Sequence, residues 1–163
     1  MLRDCHVHLG SGAVDRAGLL SALDAAGVDG CILLSLPPAS FSGDEARPAG
    51  DRLAHLERWA AGEPRLVPFF WIDPVEPDAG RQVEMALGSG VRGFKVIANH
   101  FFPGNARALP VYRAIAAAGR PILFHSGILW DGGDSSRYCR PAEFESLLEV
   151  PGLRFALAHA SWP

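Results

Sequence analysis

The stretch Leu2-Arg3-Asp4-Cys5-His6-Val7-His8-Leu9 decides how the rest of the chain is read. It is strand-like, and in a strand residues two apart face the same way. His6 and His8 therefore point together, with Asp4 one step deeper. Two imidazoles on one face of a short strand make an efficient clamp for a divalent transition metal. The strand reads as the floor of an active site.

Outward from that strand, short apolar runs recur at Gly30–Leu34, Leu66–Ile72, Gly93–Ala98, Ile122–His125 and Arg154–His159. Each is bounded by Gly, Pro or a charged cluster, as strands are. Amphipathic stretches lie between them. Leu19, Leu20 and Leu23 share one face of the first, and Gly27 can close it with a left-handed cap. Leu53, Leu56 and Ala60 mark the second, and Val83 and Leu87 the third. The fourth starts at Pro110, carries Val111, Tyr112 and Ile115, and stops at Gly119. The fifth follows Pro141 and is expected to bury Phe144, Leu147 and Leu148. Strand and helix alternate every 30 or so residues, the rhythm of a parallel α/β protein. Residues 1–163 read as one domain.

Two architectures compete, an open doubly wound sheet and a (β/α)8 barrel. The open sheet usually carries a Gly-rich phosphate turn after its first strand. Gly10-Ser11-Gly12 lacks the third glycine of that turn. The polar groups stand instead on the strands and their tips: His6, His8, Lys95, His125 and His159. That is the barrel pattern, in which several strands each offer a group at one rim. The longer loops Gly10–Ala13, Pro37–Pro48 and Gly127–Arg140 also follow strand C-termini, the side on which such folds build sites. A full barrel takes about 250 residues, so the expectation is an incomplete TIM barrel of about five and a half of its eight βα units.

Composition narrows the function classes. The 163 residues are 48% apolar and 20% charged, with a formal charge of −3. A weakly acidic balance gives no electrostatic footprint for nucleic acid or an anionic membrane. No apolar run is long enough to span a bilayer, and the histidine strand leaves no room before it for a signal peptide. Cys5, Cys31 and Cys139 are odd in number without CxxC spacing, and read as reduced thiols of a cytoplasmic protein.

Asp4-Cys5-His6-Val7-His8, followed by His125 at the fifth strand and His159 at the sixth, resembles the amidohydrolase superfamily. The better match within it is the amidohydrolase-related branch of metal-dependent TIM-barrel hydrolases, which also contains decarboxylases. The resemblance covers essentially the whole chain. It implies that His6 and His8 are the first-strand ligands of a divalent metal, with Zn2+ the expected ion, and that His125 is the fifth-strand ligand. It implies that His159 binds a second metal or polarises the substrate. Lys95 lies on the fourth strand, where some members use a carboxylated lysine to bridge two metals; one ion is the preferred reading and two the alternative. The family's eighth-strand aspartate has no counterpart here. TatD-like nucleases and PHP-type phosphoesterases open similarly. The former usually place glutamate where Lys95 stands, and the latter continue with a Ser-Asp-Gly-like loop absent after His8.

Each residue also has a plainer reading. For His6 and His8 it is a pair of solvated strand residues, and for His125 a hydrogen-bonded core histidine; their strand-tip positions favour a site. Lys95 is a carbamate, a substrate anchor or half of an ion pair, since a bare buried ammonium is costly. Asp4 is expected to orient a ligand rather than bind metal. Arg137 and Tyr138, in the loop after the fifth strand, are candidate carboxylate binders. Asp73 is expected to cap a helix, His55 to face solvent, His100 to be a loop residue, and Trp59, Trp71 and Trp130 to pack.

Three functions follow. The first is a metal-dependent hydrolase, in which a Zn2+-like ion lowers the pKa of water to about 7 and hydroxide attacks a small amide, lactone or related carbonyl compound. His159 would stabilise the oxyanion. The second is decarboxylation at the same metal, with Lys95 and Arg137 holding a carboxylate. The third is an inactive metal-binding fragment. The expected partner is a small-molecule substrate, with homodimerisation or self-association through the open barrel edges.

Overall fold

A computed structural model of the chain describes residues 1–10, 14–43, 46–129 and 133–161, with side chains as far as His159. The expected packing of Trp130 lies outside the described residues. Six strands form one parallel sheet in sequence order: β1 (Arg3–His8), β2 (Gly30–Leu34), β3 (Leu66–Trp71), β4 (Gly93–Val96), β5 (Ile122–Phe124) and β6 (Phe155–Leu157). Helices α1 (Arg16–Ala25), α2 (Ala39–Ser42), α3 (Ala49–Ala60), α4 (Ala79–Gly88) and α5 (Ala108–Ala117) lie between strands. Asp15 caps α1 by accepting the Gly18 N–H at 2.8 Å. No helix among the described residues is long and apolar enough to cross a membrane.

The sheet curls. At about 4.8 Å per step, a flat six-stranded sheet would hold its outer strands about 24 Å apart. The His6 and His159 rings, from β1 and from just past β6, are 4.6 Å apart between centroids. The architecture is a partial TIM barrel, closing at the C-terminal ends of its strands.

Period-two alternation divides the core into two clusters. Cys31, Leu33, Phe70, Phe94, Val96, Ile122 and Phe124 face outward, and with Leu23, Leu53, Leu56, Val83, Val111 and Ile115 from the helices they form the larger cluster. Leu34, Phe69, Leu123 and Ala158 form a smaller one, with Ile32 and Val67 packed against it. Gly93 serves this inner layer, because a Cβ there would collide with the Phe69 ring.

The fifth helical segment departs from expectation. Pro141–Glu149 is a 3-10 helix, whose period is three residues. Phe144, Leu147 and Val150 fall on one buried stripe, while Leu148 is 74% exposed. Arg52 of α3 is a second departure, a guanidinium only 2% exposed. It donates to the Trp71 carbonyl at 2.6 Å, the Leu36 carbonyl at 3.3 Å and Gln82 Oε1 at 3.1 Å, and it lies over the Phe70 ring. Those carbonyls belong to the C-terminal end of β3 and the loop after β2, so Arg52 fixes part of the barrel mouth.

Candidate metal centre

β1 does not follow simple alternation. Asp4 pairs with Cys31 and Val7 with Leu33, so β1 holds one residue more than β2 across that interval. This bulge inverts the alternation. Asp4 is in register with Cys31, which belongs to the helix-side core, whereas His8 is in register with Leu34 of the inner layer. Asp4 therefore does not lie one step beneath the histidines on their face. Its Oδ1 accepts the His6 backbone N–H at 2.9 Å, so it supports the bulge rather than a ring.

His6 and His8 do meet, with their Nε2 atoms 3.0 Å apart. His125 follows β5 and its ring nitrogen Nε2 lies 3.2 Å from the Ile128 carbonyl. His159 lies past the end of β6, in a 3-10 turn, rather than in the strand expected over Arg154–His159. Alternation from Ala158 in the inner layer would turn the next side chain outward. His159 has φ of 63°, and this left-handed backbone carries its ring back to the mouth. The four rings form a continuous row: His8 to His6 at 4.8 Å, His6 to His159 at 4.6 Å and His159 to His125 at 4.9 Å.

Burial, then the nearby Lys95 charge, lowers the His6 pKa to about 3 and those of His8 and His125 to about 4. His159 is lowered for the same two reasons. All four rings are thus neutral near pH 7, the state in which an imidazole offers a lone pair to a metal. Among the described residues, no three His, Cys, Asp or Glu side chains stand in ready ligating geometry. The nitrogens are turned to one another and to a carbonyl. The donor set nonetheless fits an ion. With Zn–N near 2.0–2.1 Å, two nitrogens of a tetrahedral site are about 3.3 Å apart, close to the 3.0 Å between His6 and His8.

Lys95 is fully buried in β4, in register with Trp71 and Leu123 of the inner face. Its Nζ has no hydrogen-bond partner among the described residues, and burial pulls its pKa down to about 7. Among the described residues it has no ion pair. Arg137 and Tyr138 are not among the residues lining the cleft. Arg137 Nη2 donates to the Tyr138 hydroxyl at 2.6 Å and Nη1 to Asp134 at 3.0 Å. Asp73 caps no helix; its Oδ1 accepts the Val75 N–H and its Oδ2 pairs with His100. His55 is half-buried and accepts the Trp59 indole N–H at 3.3 Å.

The histidines open into a cleft of about 590 Å³. Its other wall is apolar: Leu36, Phe41, Trp71, Ile97 and Leu129. Trp71 meets His8 edge-on at 5.1 Å and Phe41 at 4.9 Å. Arg47 is the cation that lines the cleft among the described residues. The sequence reading missed Arg47, Phe41 and the wall role of Trp71. Inward alternation of Val67, Phe69 and Trp71 would have revealed the last of these. A larger hollow of about 790 Å³ lies at the opposite end of the barrel, between the ends of α3 and α4, and no imidazole lines it.

A family model described as amidohydrolase matches residues 4–163. No curated protein matches. Among solved structures, a 2,6-dihydroxybenzoate decarboxylase complexed with 2,6-dihydroxybenzoate superposes with a TM-score of 0.69 at 14% identity, over 96% of this chain and 64% of its own. The same enzyme from Rhizobium gives 0.66 at 17% identity, over 96% and 65%. An amidohydrolase from Mycobacterium avium subsp. paratuberculosis K-10 gives 0.54 at 20% identity, over 72% and 35%. At these identities the likeness is one of fold. The chain spans less than two thirds of the length of each of these structures.

The buried lysine yields a prediction for the metal-free protein. A folded-state pKa of about 7 against an ordinary 10.5 means that the unfolded chain binds the extra proton between those values. Stability therefore rises with pH across that window, and below pH 7 the full cost of the buried charge stands. Lys95→Met is expected to exceed the parent in stability by on the order of 3–5 kcal/mol below pH 7, the gap closing toward pH 10.5. Urea unfolding across that range measures it; a gap independent of pH contradicts it.

Proposed function

The chain belongs to the amidohydrolase family, and on that premise we propose that its site works as a metal-dependent hydrolase of small amides, lactones or related carbonyl compounds. The observation that carries this reading is the row of four imidazoles drawn from β1 and from beyond β5 and β6. Amidohydrolases generally use divalent metals. We assign His6, His8 and His125 as holders of one Zn2+-like ion, which when bound supplies a Lewis acid and acidifies water.

The remaining steps belong to the chain's own side chains. His159, the ring nearest both His6 and His125, offers an N–H to the oxygen on which charge develops. Trp71 and Phe41 keep water from the other side of the reacting carbonyl. Lys95, with its lowered pKa, holds or releases a proton beneath the cluster near neutral pH. The buried, reduced thiols of Cys31 and Cys139 support a cytoplasmic setting.

Metal analysis of the purified protein tests the assignment. Zinc is expected to fall at least tenfold in His6→Ala and His125→Ala, in line with loss of a direct ligand. Equal zinc in parent and variants would remove the proposed coordination.

Decarboxylation is the second reading, and two cations favour it: Lys95 beneath the histidines and Arg47 on the cleft wall. Arg47 takes the part first given to Arg137. Release of CO2 from a panel of aromatic and unsaturated carboxylic acids is expected under this reading, with Arg47→Ala raising KM more than it lowers kcat. No CO2 from any acid of the panel would leave hydrolysis alone.

Among the described residues, β1 and β6 each have a sheet neighbour on one side only. Such unpaired backbone edges support self-association of this chain. Size-exclusion chromatography is expected to show dimers or larger species, and a stable monomer at high concentration would refute it.

A further inference from the structure

The loops after β2, β3 and β4 are tied together at the barrel mouth by polar side chains that the proposed chemistry does not use. Asp73, just past β3, is 4% exposed. Its Oδ2 lies 3.3 Å from His100 Nε2, while its Oδ1 accepts the Val75 N–H at 3.0 Å. His100 Nδ1 lies 2.7 Å from Asn99 Oδ1. Asn99 Nδ2 in turn donates to the Ser40 carbonyl at 3.0 Å, across 59 residues of sequence.

Hydrogen-bond direction makes this chain of contacts specific. The Ser40 carbonyl can only accept, so it requires the Asn99 NH2 and leaves the Asn99 carbonyl oxygen facing His100. The Asp73 carboxylate also accepts. His100 therefore lies between two acceptors, Asp73 Oδ2 beside Nε2 and Asn99 Oδ1 beside Nδ1. Flipping the Asn99 amide would set two carbonyl oxygens against each other.

Ser40 lies in α2, a four-residue helix with no buried residue and no side-chain cap. A single turn of helix has no stability of its own. Its position must come from outside contacts, and the Asn99 bond and the Phe41–Trp71 ring contact at 4.9 Å are two of them. Trp71 in turn meets His8 at 5.1 Å.

We propose that Asn99, held by the Asp73–His100 pair, is a positioning residue that acts through the Ser40 carbonyl to seat Phe41 against Trp71. It thereby fixes the apolar wall of the cleft beside His8. The proposal rests on the functional reading only in taking this cleft as the site. Asn99 touches neither substrate nor metal in this role.

The test is 19F NMR of the full chain labelled with 5-fluorotryptophan, the Trp71 resonance being assigned by its loss in Trp71→Phe. Asn99→Ala is expected to move that resonance in the direction produced by Phe41→Leu and to leave the Trp59 resonance, on α3, in place. His100→Ala, which frees Asn99 from its anchor, is expected to move it the same way. In the Phe41→Leu background, Asn99→Ala is expected to add nothing. An unmoved Trp71 resonance in both Asn99→Ala and His100→Ala overturns the proposal. So does an undiminished extra shift in the Phe41→Leu background, or a Trp59 resonance displaced as far as that of Trp71. The measurement needs no metal, so failure of zinc binding leaves it intact, and its failure leaves the zinc assignment intact.

Discussion

Curling of a parallel sheet is the constraint from which the site derives. Strands laid side by side in sequence order would keep the ends of β1 and β6 far apart if the sheet were flat. Twist and coil close it, and the C-terminal tips converge on one mouth. Convergence alone does not bring side chains together, because alternation decides which residues face inward. Two local departures supply the rest. The bulge in β1 shifts the alternation between Asp4 and Val7, and the left-handed residue after Ala158 turns His159 back toward the axis. Such a backbone state costs about 1 kcal/mol or more outside glycine. In this chain that cost falls on a ring facing the cleft, where a non-glycine residue is held against its preference by its surroundings.

The interior handles two buried cations in opposite ways. Arg52 keeps its proton, and its two terminal nitrogens donate to two backbone carbonyls and Gln82 while the group rests on the Phe70 ring. Lys95 has no such partners among the described residues, and its ammonium gives way by deprotonating more readily. The first solution makes a rigid strut between α3 and the barrel mouth. The second leaves a reactive amine under the histidines. A buried charge tied to backbone carbonyls belongs to architecture, and a buried amine beside the histidine cluster belongs to chemistry.

Much of this was legible in the sequence, because period and spacing survive folding. Strand cores at Gly30–Leu34 and Leu66–Trp71, the helical stripe Val111, Tyr112 and Ile115, and the two distant histidines all follow from local pattern. The missed features depend on relations that a pattern does not carry. Nothing in Asp4-Cys5-His6-Val7-His8 announces a bulge, which exists only against the register of β2. An α-helical period places Leu148 with the buried residues, but the segment winds with period three and turns it outward. Arg137 and Arg47 both lie in loops after strands, and only the fold decides which side chain reaches the cleft. The Asp73–His100 pair joins two loops whose residues look unremarkable separately.

The electrostatics of the cluster identify the kind of guest that it suits. Every influence that moves the four histidines down is burial or a neighbouring base, with Lys95 foremost among the charges. No carboxylate among the described residues contributes to the shift of any of these rings. The hollow is therefore rich in lone pairs and poor in protons at neutral pH. Adding a proton to any ring places a positive charge among bases that repel it once they too are protonated, in a poorly solvated place. A single divalent ion relieves that arrangement, because one centre engages several nitrogens at once and none of them has to carry a proton. The apolar wall of Trp71 and Phe41 strengthens the effect by lowering the local dielectric. The same wall that excludes water from a bound substrate thus keeps the imidazoles neutral, and it ties the packing of the barrel mouth to the chemistry of the cleft.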